Sequence, residues 1–394
     1  MDKLTPKQKA FLEEAEKFIA DSESIPAEYR FPPRSSKFCE GVKIESEWLT
    51  PYFIFRQSLE EHRYDVKDVQ EYQAKAGKES SLLASRFRGA LLGLAICDAL
   101  GTTAEFKARG TFSPITDIVG GGPFNLKPGQ WTDDTSMAFC LAHSLLRKNG
   151  FDAKDQMDIY TLWRKKGIFS STGTCFDIGN TVSNALDQYE KTGDPYAGSD
   201  DPRSAGNGSL MRLAPVVLFY FSNPADAIFY SGESSKTTHR AVEAIDSCRY
   251  FGALLHGALN GVSKEELLEG IYSPVKDYWN QYPLCENVRN IANGSYKNKT
   301  QDEIQSTGYV IHTLEAALWA FYNSQDFKSG ALKAVNLGGD ADTIGAVYGQ
   351  IAGAYYGELR IPIEWIIELY YQHVFYLKAD DMLKHHNEIT CDQD

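Results

Sequence analysis

Apolar residues along this chain recur three and four positions apart far more often than they alternate, so the sequence predicts helices and few strands. The clearest stripe is Ile311, Leu314, Leu318 and Phe321, in a helix predicted over 311–322. Phe87, Leu91 and Leu94 keep the same spacing over 86–100, and Asp98 continues their face. Between them Gly89, Ala90, Gly93, Ala95 and Ala99 mark a helix for close packing. Met137, Leu141 and Leu145 predict another, and 250–259 and 363–375 read as further core helices. No strand-turn-strand series and no regular repeat is visible. The fold class is all-α.

One stretch organises the rest. Gly338-Gly339 predicts a tight turn that delivers Asp340, Asp342 and Thr343 to a helix start. Behind them Gly345, Gly349, Gly353 and Gly357 recur every fourth residue, a bare stripe that lets a second helix approach closely. Each glycine weakens a helix interior by about 1 kcal/mol relative to alanine, so four in line need a packing reason. The apolar run is broken at Gln350 and ends at Glu358, too short to span a bilayer.

The first 83 residues read as an N-terminal extension. Thr5, Pro6 and Gln8 form a helix start ahead of an apolar face of Phe11, Leu12, Ala15, Phe18 and Ile19. Residues 25–56 are proline-broken yet rich in aromatics, a composition that calls for a covering surface, its own or a partner's. A charged helix over 58–77 and a short joint at 77–81 lead into the domain predicted over 84–394.

Composition narrows the function classes. Forty-three per cent hydrophobic and 24% charged residues fit a soluble globular protein. Seven scattered cysteines without a Cys-x-x-Cys pair argue against a disulfide framework and for a reducing, cytoplasmic setting. A formal charge of −13 disfavours nucleic acid or an anionic membrane as partner. An anionic substrate would then need local cations, backbone donors or metal.

Candidate chemistry lies in two acidic clusters of one design: Thr132, Asp133 and Asp134, and Asp340, Asp342 and Thr343. Capping explains one such residue per helix but not four carboxylates. Oxygen-only ligands suit Mg²⁺ or Mn²⁺. Gly206-Asn207-Gly208-Ser209 ahead of a helical run fits an anion cradle, and a plain turn fits it as well. Arg212 reads as a cradle cation, a solvated residue or a salt-bridge partner, and His239 as a contact or a helix-start histidine. No P-loop, Gly-x-Ser-x-Gly elbow or His-Glu-x-x-His is present.

In sequence and order, Gly89 to Gly101, Trp131 to Thr135, Gly206 to Arg212, Thr238-His239 and Gly338 to Gly345 resemble the ADP-ribosylglycohydrolase family. The resemblance covers about residues 84–375. It implies a compact orthogonal multi-helix domain with two Mg²⁺ or Mn²⁺ ions in a central cleft. Thr132, Asp133, Asp134, Asp340, Asp342 and Thr343 match the family's metal ligands. Glu105 matches a glutamate that positions water or substrate, with Asp133 and Asp342 as its catalytic companions. Asn207, Gly208, Ser209, Met211, Arg212 and His239 look like the ADP-ribose contacts. The implied activity is metal-dependent release of ADP-ribose from a mono-ADP-ribosylated protein side chain, arginine first among acceptors. Two alternatives accompany it. One is an immunity-type protein that also blocks an ADP-ribosyltransferase through residues 1–83, and the other is an inactive family member. Two departures stand out: Cys97 replaces the glycine usual before the first motif's aspartate, and residues 1–83 lie outside the family core.

Overall fold

A computed structural model describes residues 82–391 of the chain. The helix expected over 5–20, the aromatic-rich stretch 25–56 and the charged helix 58–77 lie outside the described residues. Within them the chain is all-α, with no strand and only isolated bridges. The helices run α1 (Leu82–Gly101), α2 (Asp133–Lys148), α3 (Ala153–Lys166), α4 (Asn180–Thr192), α5 (Ala214–Phe219), α6 (Pro224–Lys236) and α7 (Val242–Leu259). Then come α8 (Lys264–Leu267), α9 (Tyr278–Gln281), α10 (Glu286–Ala292), α11 (Val310–Tyr322), α12 (Phe327–Val335), α13 (Ala341–Tyr356), α14 (Ile363–Glu368) and α15 (Gln372–Cys391). None is long and apolar enough to cross a membrane.

The glycine stripe meets a partner stripe. On α13, Gly353, Gly349 and Gly345 face the backbones of Gly89, Gly93 and Cys97 on α1, and Gly101 faces Ala341. The descending order makes the two helices antiparallel. A Cβ added at Gly349 or Gly353 would run into the carbonyl of Gly93 or Gly89, so the contact is backbone on backbone. Cys97 occupies one step of this ladder, fully buried, where only its main chain faces Gly345. Gly357 continues the ladder against Ser85 of α1 and, at φ +77°, ends α13.

Around this pair the core closes. Phe87, Leu91, Leu94 and Asp98 are all buried, as their spacing predicts, and so are Met137, Leu141 and Leu145. Helices α7, α11 and α12 pack on α13, and α15 packs on α1. Arg88 fixes the last contact, donating to Asp380 at 2.6 and 3.0 Å and to Glu358 at 3.2 Å.

The helix predicted over 363–375 is two helices. The chain breaks at Leu369–Tyr371, with Tyr371 at φ +48°, and the Tyr370 N–H donates to the Gly129 carbonyl at 3.0 Å. The break sets Tyr371 and Phe375 against Trp131, with ring centroids 5.7 and 5.4 Å away. Trp131 is the residue before the first acidic cluster. Aromatic periodicity alone could not reveal that this packing interrupts the helix. The run after Gly206 also differs from expectation: turns occupy 207–212, and α5 starts only at Ala214.

Candidate active site

The antiparallel register brings Asp98, near the end of α1, beside Asp342, at the start of α13. Thr132 precedes α2, and its side chain does not cap that helix. Asp98 does so instead: its Oδ1 accepts from the Thr132 N–H at 2.9 Å and its Oδ2 from the Thr135 N–H at 3.1 Å. The two hydroxyls add bonds of 2.9 and 2.6 Å to the same carboxylate. Relieved of capping, the Thr132 hydroxyl also reaches Asp134 at 3.1 Å and Asp342 at 3.4 Å. Thr343 reaches Asp134 at 3.4 Å from the other side. Two clusters 210 positions apart thus share one floor.

The Gly338-Gly339 turn makes this approach possible. Both residues lie at positive φ, +69° and +65°, and a Cβ at either would meet the neighbouring backbone. The Gly339 carbonyl accepts from the Phe106 N–H at 2.7 Å, and the Gly339 N–H donates to the Lys107 carbonyl at 2.8 Å. That pins the segment carrying Glu105 against the start of α13. Asp340 has no capping bond of its own; it accepts from the Asn207 amide at 2.6 Å.

A cleft of about 360 Å³ opens over the floor, a size suited to a small-molecule ligand. Of the residues singled out in the sequence, Glu105, Asp133, Asp340, Asp342, Thr343, Asn207, Gly208, Met211 and His239 line it. Thr132 and Asp134 lie beneath, with no exposed surface. Ser209 and Arg212 do not reach the lining. Ser209 bonds Ser235 at 2.8 Å behind the turn. Arg212 is neither solvated nor in an ion pair: it is fully buried, its guanidinium 4.6 Å from the Tyr160 ring centroid. Gln350, which interrupts the apolar run of α13, receives the Ala214 N–H at 2.7 Å and donates to the Met211 carbonyl at 2.7 Å. It ties the Asn207–Arg212 turns to the central helix.

Sequence reasoning missed two carboxylates. Asp98 read as part of an apolar face, and only its partners across the chain give it a role. Asp177 sits at φ +59° just ahead of α4 and lines the cleft. One carboxylate oxygen from each of Asp177, Glu105 and Asp342 lies within 4.8 Å of the other two, and the same holds for one oxygen from each of Asp98, Asp134 and Asp342. The one signal for Asp177 was its place two residues before Gly179, the residue that precedes α4.

Ionisation of crowded acids out of water is costly. Burial first, then the neighbouring carboxylates, push Asp133, Asp134 and Asp342 well above the usual carboxylate range. Burial and then Asp177 raise Glu105 to about 10, and burial and then Asp98 raise Asp177 to about 7. No Lys or Arg lines the cleft among the described residues. Asp134 Oδ1, Asp342 Oδ1 and Glu105 Oε2 are buried without a hydrogen-bond partner. Orphaned, mutually repelling carboxylate oxygens in a polar pocket fit a divalent cation, which would satisfy them and neutralise their charge.

Comparison with known proteins agrees with this geometry. The sequence profile described as ADP-ribosylglycohydrolase matches residues 79–389. The chain is 45% identical over 285 residues to ADP-ribosylarginine hydrolase Tri1 of Serratia proteamaculans (strain 568), covering 72% of this chain and 75% of that protein. It is 33% identical to the ADP-ribosyl-[dinitrogen reductase] glycohydrolase of Rhodospirillum rubrum, over 72% of this chain and 90% of that one. A solved structure titled ADP-ribosylglycohydrolase-related protein complex superposes with a TM-score of 0.68 at 42% identity, covering 77% of this chain and 99% of its own. By sequence, by fold and by the five ordered motifs around one acidic cleft, this chain belongs to the ADP-ribosylglycohydrolase family.

Proposed function

We propose that this glycohydrolase releases ADP-ribose from arginine side chains of mono-ADP-ribosylated proteins. The acceptor is drawn from the relatives named for ADP-ribosylarginine. The observation that carries the reading is the meeting of Asp134 and Asp342, through Thr132 and Thr343, on the floor of a cleft walled by Asn207, Gly208 and His239.

Thr132, Asp133, Asp134, Asp340, Asp342 and Thr343 would hold two Mg²⁺ or Mn²⁺ ions, and Asp98 would hold those ligands in place. Bound there, divalent cations supply charge stabilisation to ribose oxygens and ease deprotonation of water. Glu105 holds a proton at the cleft wall and faces Asp177, so the pair can pass a proton between attacking water and leaving nitrogen. In the net step water oxygen bonds the anomeric carbon, the carbon–nitrogen bond breaks, and the guanidine leaves with a proton. The Gly208 turn leaves the main chain open to the ligand's diphosphate, which answers the excess of negative charge.

The test is incubation with arginine-linked and serine-linked ADP-ribosylated proteins, with Mg²⁺, with Mn²⁺ and with a chelator. Cation-dependent release from the arginine conjugate is expected. Release from serine alone would reassign the acceptor, and release from neither would end the reading.

Residues 1–83 form, in this proposal, a separate appendage that binds an ADP-ribosyltransferase in the cytoplasm. The family match begins at residue 79, and the segment ahead of it carries apolar residues at helical spacing and six aromatics between 31 and 55. Deleting residues 1–80 should leave hydrolysis intact and abolish capture of a transferase. A dead or insoluble truncation would return the segment to the hydrolase body.

A further inference from the structure

We propose that Arg212 and Thr238 are positioning residues that fix the His239 ring with its proton on Nε2, as a donor to an acceptor oxygen of the ligand in the cleft. This deepens the reading above, since it rests on ADP-ribose occupying that cleft.

The argument starts from a buried guanidinium without a carboxylate. Arg212 donates to the Thr238 hydroxyl at 2.7 Å, the Thr237 hydroxyl at 3.3 Å and the Ser234 carbonyl at 3.4 Å. Its other group approaches the Met137 sulfur at 3.7 Å. A guanidinium can only donate, so the Thr238 oxygen accepts from it and must place its own hydrogen elsewhere. Its remaining partner is His239 Nδ1, 2.9 Å away. Nδ1 therefore accepts, and the ring proton sits on Nε2.

Nε2 faces the ligand side. His239 lines the cleft, and no group among the described residues bonds Nε2. The ring edge lies along the Gly206–Gly208 turn, where a Cβ added at either glycine would be 3.3 Å from Nε2. The main chain is held as firmly. The His239 N–H donates to the Ser235 carbonyl at 2.6 Å, and the Ser235 hydroxyl donates to the His239 carbonyl at 2.8 Å. Burial and then the Arg212 charge hold the ring's pKa down to about 3, so it stays neutral and keeps this tautomer through the working pH range. The consequence is a neutral donor of fixed direction in a cleft that lacks Lys and Arg. It can bind a phosphate oxygen without forming an ion pair with the adjacent acids.

The relay is read directly by nitrogen-15 NMR of the histidine rings of the full chain, with His239 assigned by its loss in His239→Gln. A pyrrole-like Nε2 and pyridine-like Nδ1 are expected, and the reverse pattern overturns the proposal. Thr238→Val removes the hydroxyl at nearly constant volume. It should mix the tautomers and weaken ADP-ribose binding about tenfold by calorimetry, while kcat changes less than KM. Thr238→Ser should restore both the spectrum and the affinity. An unchanged spectrum in Thr238→Val, or a changed one with unchanged affinity, overturns the relay. Absence of any ADP-ribose binding by the unaltered protein would sink the functional reading, whereas the unaltered protein's ring spectrum decides the tautomer independently.

Discussion

The carboxylate of Asp98 caps a helix to which it does not belong, binding the Thr132 N–H 34 positions further along the chain at 2.9 Å. Asp98→Ala orphans two buried N–H groups and the Thr135 hydroxyl, while the Thr132 hydroxyl keeps Asp134 and Asp342, and it relieves repulsion on Asp134. The loss of bonds should win, because three partners are stranded against one relieved charge. A net destabilisation of about 2 kcal/mol is expected in urea unfolding. Asp98→Asn, which keeps one oxygen for Thr132, should lose roughly half as much.

Cation binding should be visible as stability. At a cation concentration 100 times the dissociation constant, Mg²⁺ or Mn²⁺ should add about 2.7 kcal/mol, seen as a rise in melting temperature. Asp342→Asn should reverse the order of the proteins. In chelator it removes one of the crowded acids and should melt no lower than the parent. With cation it should gain little and lose turnover. A full cation-induced rise in Asp342→Asn would remove that residue from the ligand set.

The helix pair at the centre leaves no room for a side chain at Gly349. Gly349→Ala sets a methyl against the Gly93 main chain, and no flexible group can yield there. Overpacking of this kind costs about 3 kcal/mol or more. The measurement is denaturant midpoint together with turnover. Because Asp98 and Asp342 ride on the two helices, turnover should fall further than the lost folded fraction accounts for.

Glu358 gives a pH signature away from the cleft. Burial outweighs its bond with Arg88 and raises it from 4.5 to about 7. A folded-state value above the unfolded one means that its contribution is fully present below about pH 4.5 and is lost as pH rises through about 7. Glu358→Gln should therefore gain on the parent between those values, by on the order of 2 kcal/mol at pH 8, in parallel unfolding titrations.

What the sequence disclosed follows from the range of its signals. Helices with a one-sided stripe, such as the one holding Leu314 and Leu318, announce themselves, since the period is local. The Gly345 stripe announced a close neighbour but not which one. Its counterpart at Gly89 and Gly93 lay in view without a rule to pair them. Asp133 and Asp342 stood out because each sits in a cluster. Asp98 and Asp177 stand singly, and a lone carboxylate acquires meaning only from what folds against it. Arg212 misled for a related reason: nothing nearby in sequence shows that a charged side chain will be enclosed by Tyr160 and two threonines. The division of α14 from α15 was hidden likewise, because its cause is the packing of Trp131.

The bonds of Gln350 carry a further implication. Asp342 and Gln350 stand eight residues apart on α13, about 12 Å along a rigid rod. One supplies the acidic floor, and the other anchors the turns that lead from Asn207 to Ala214. Both supports are thus carried by a single element with no hinge between them, so a displacement of α13 would carry the acidic floor and the turns together.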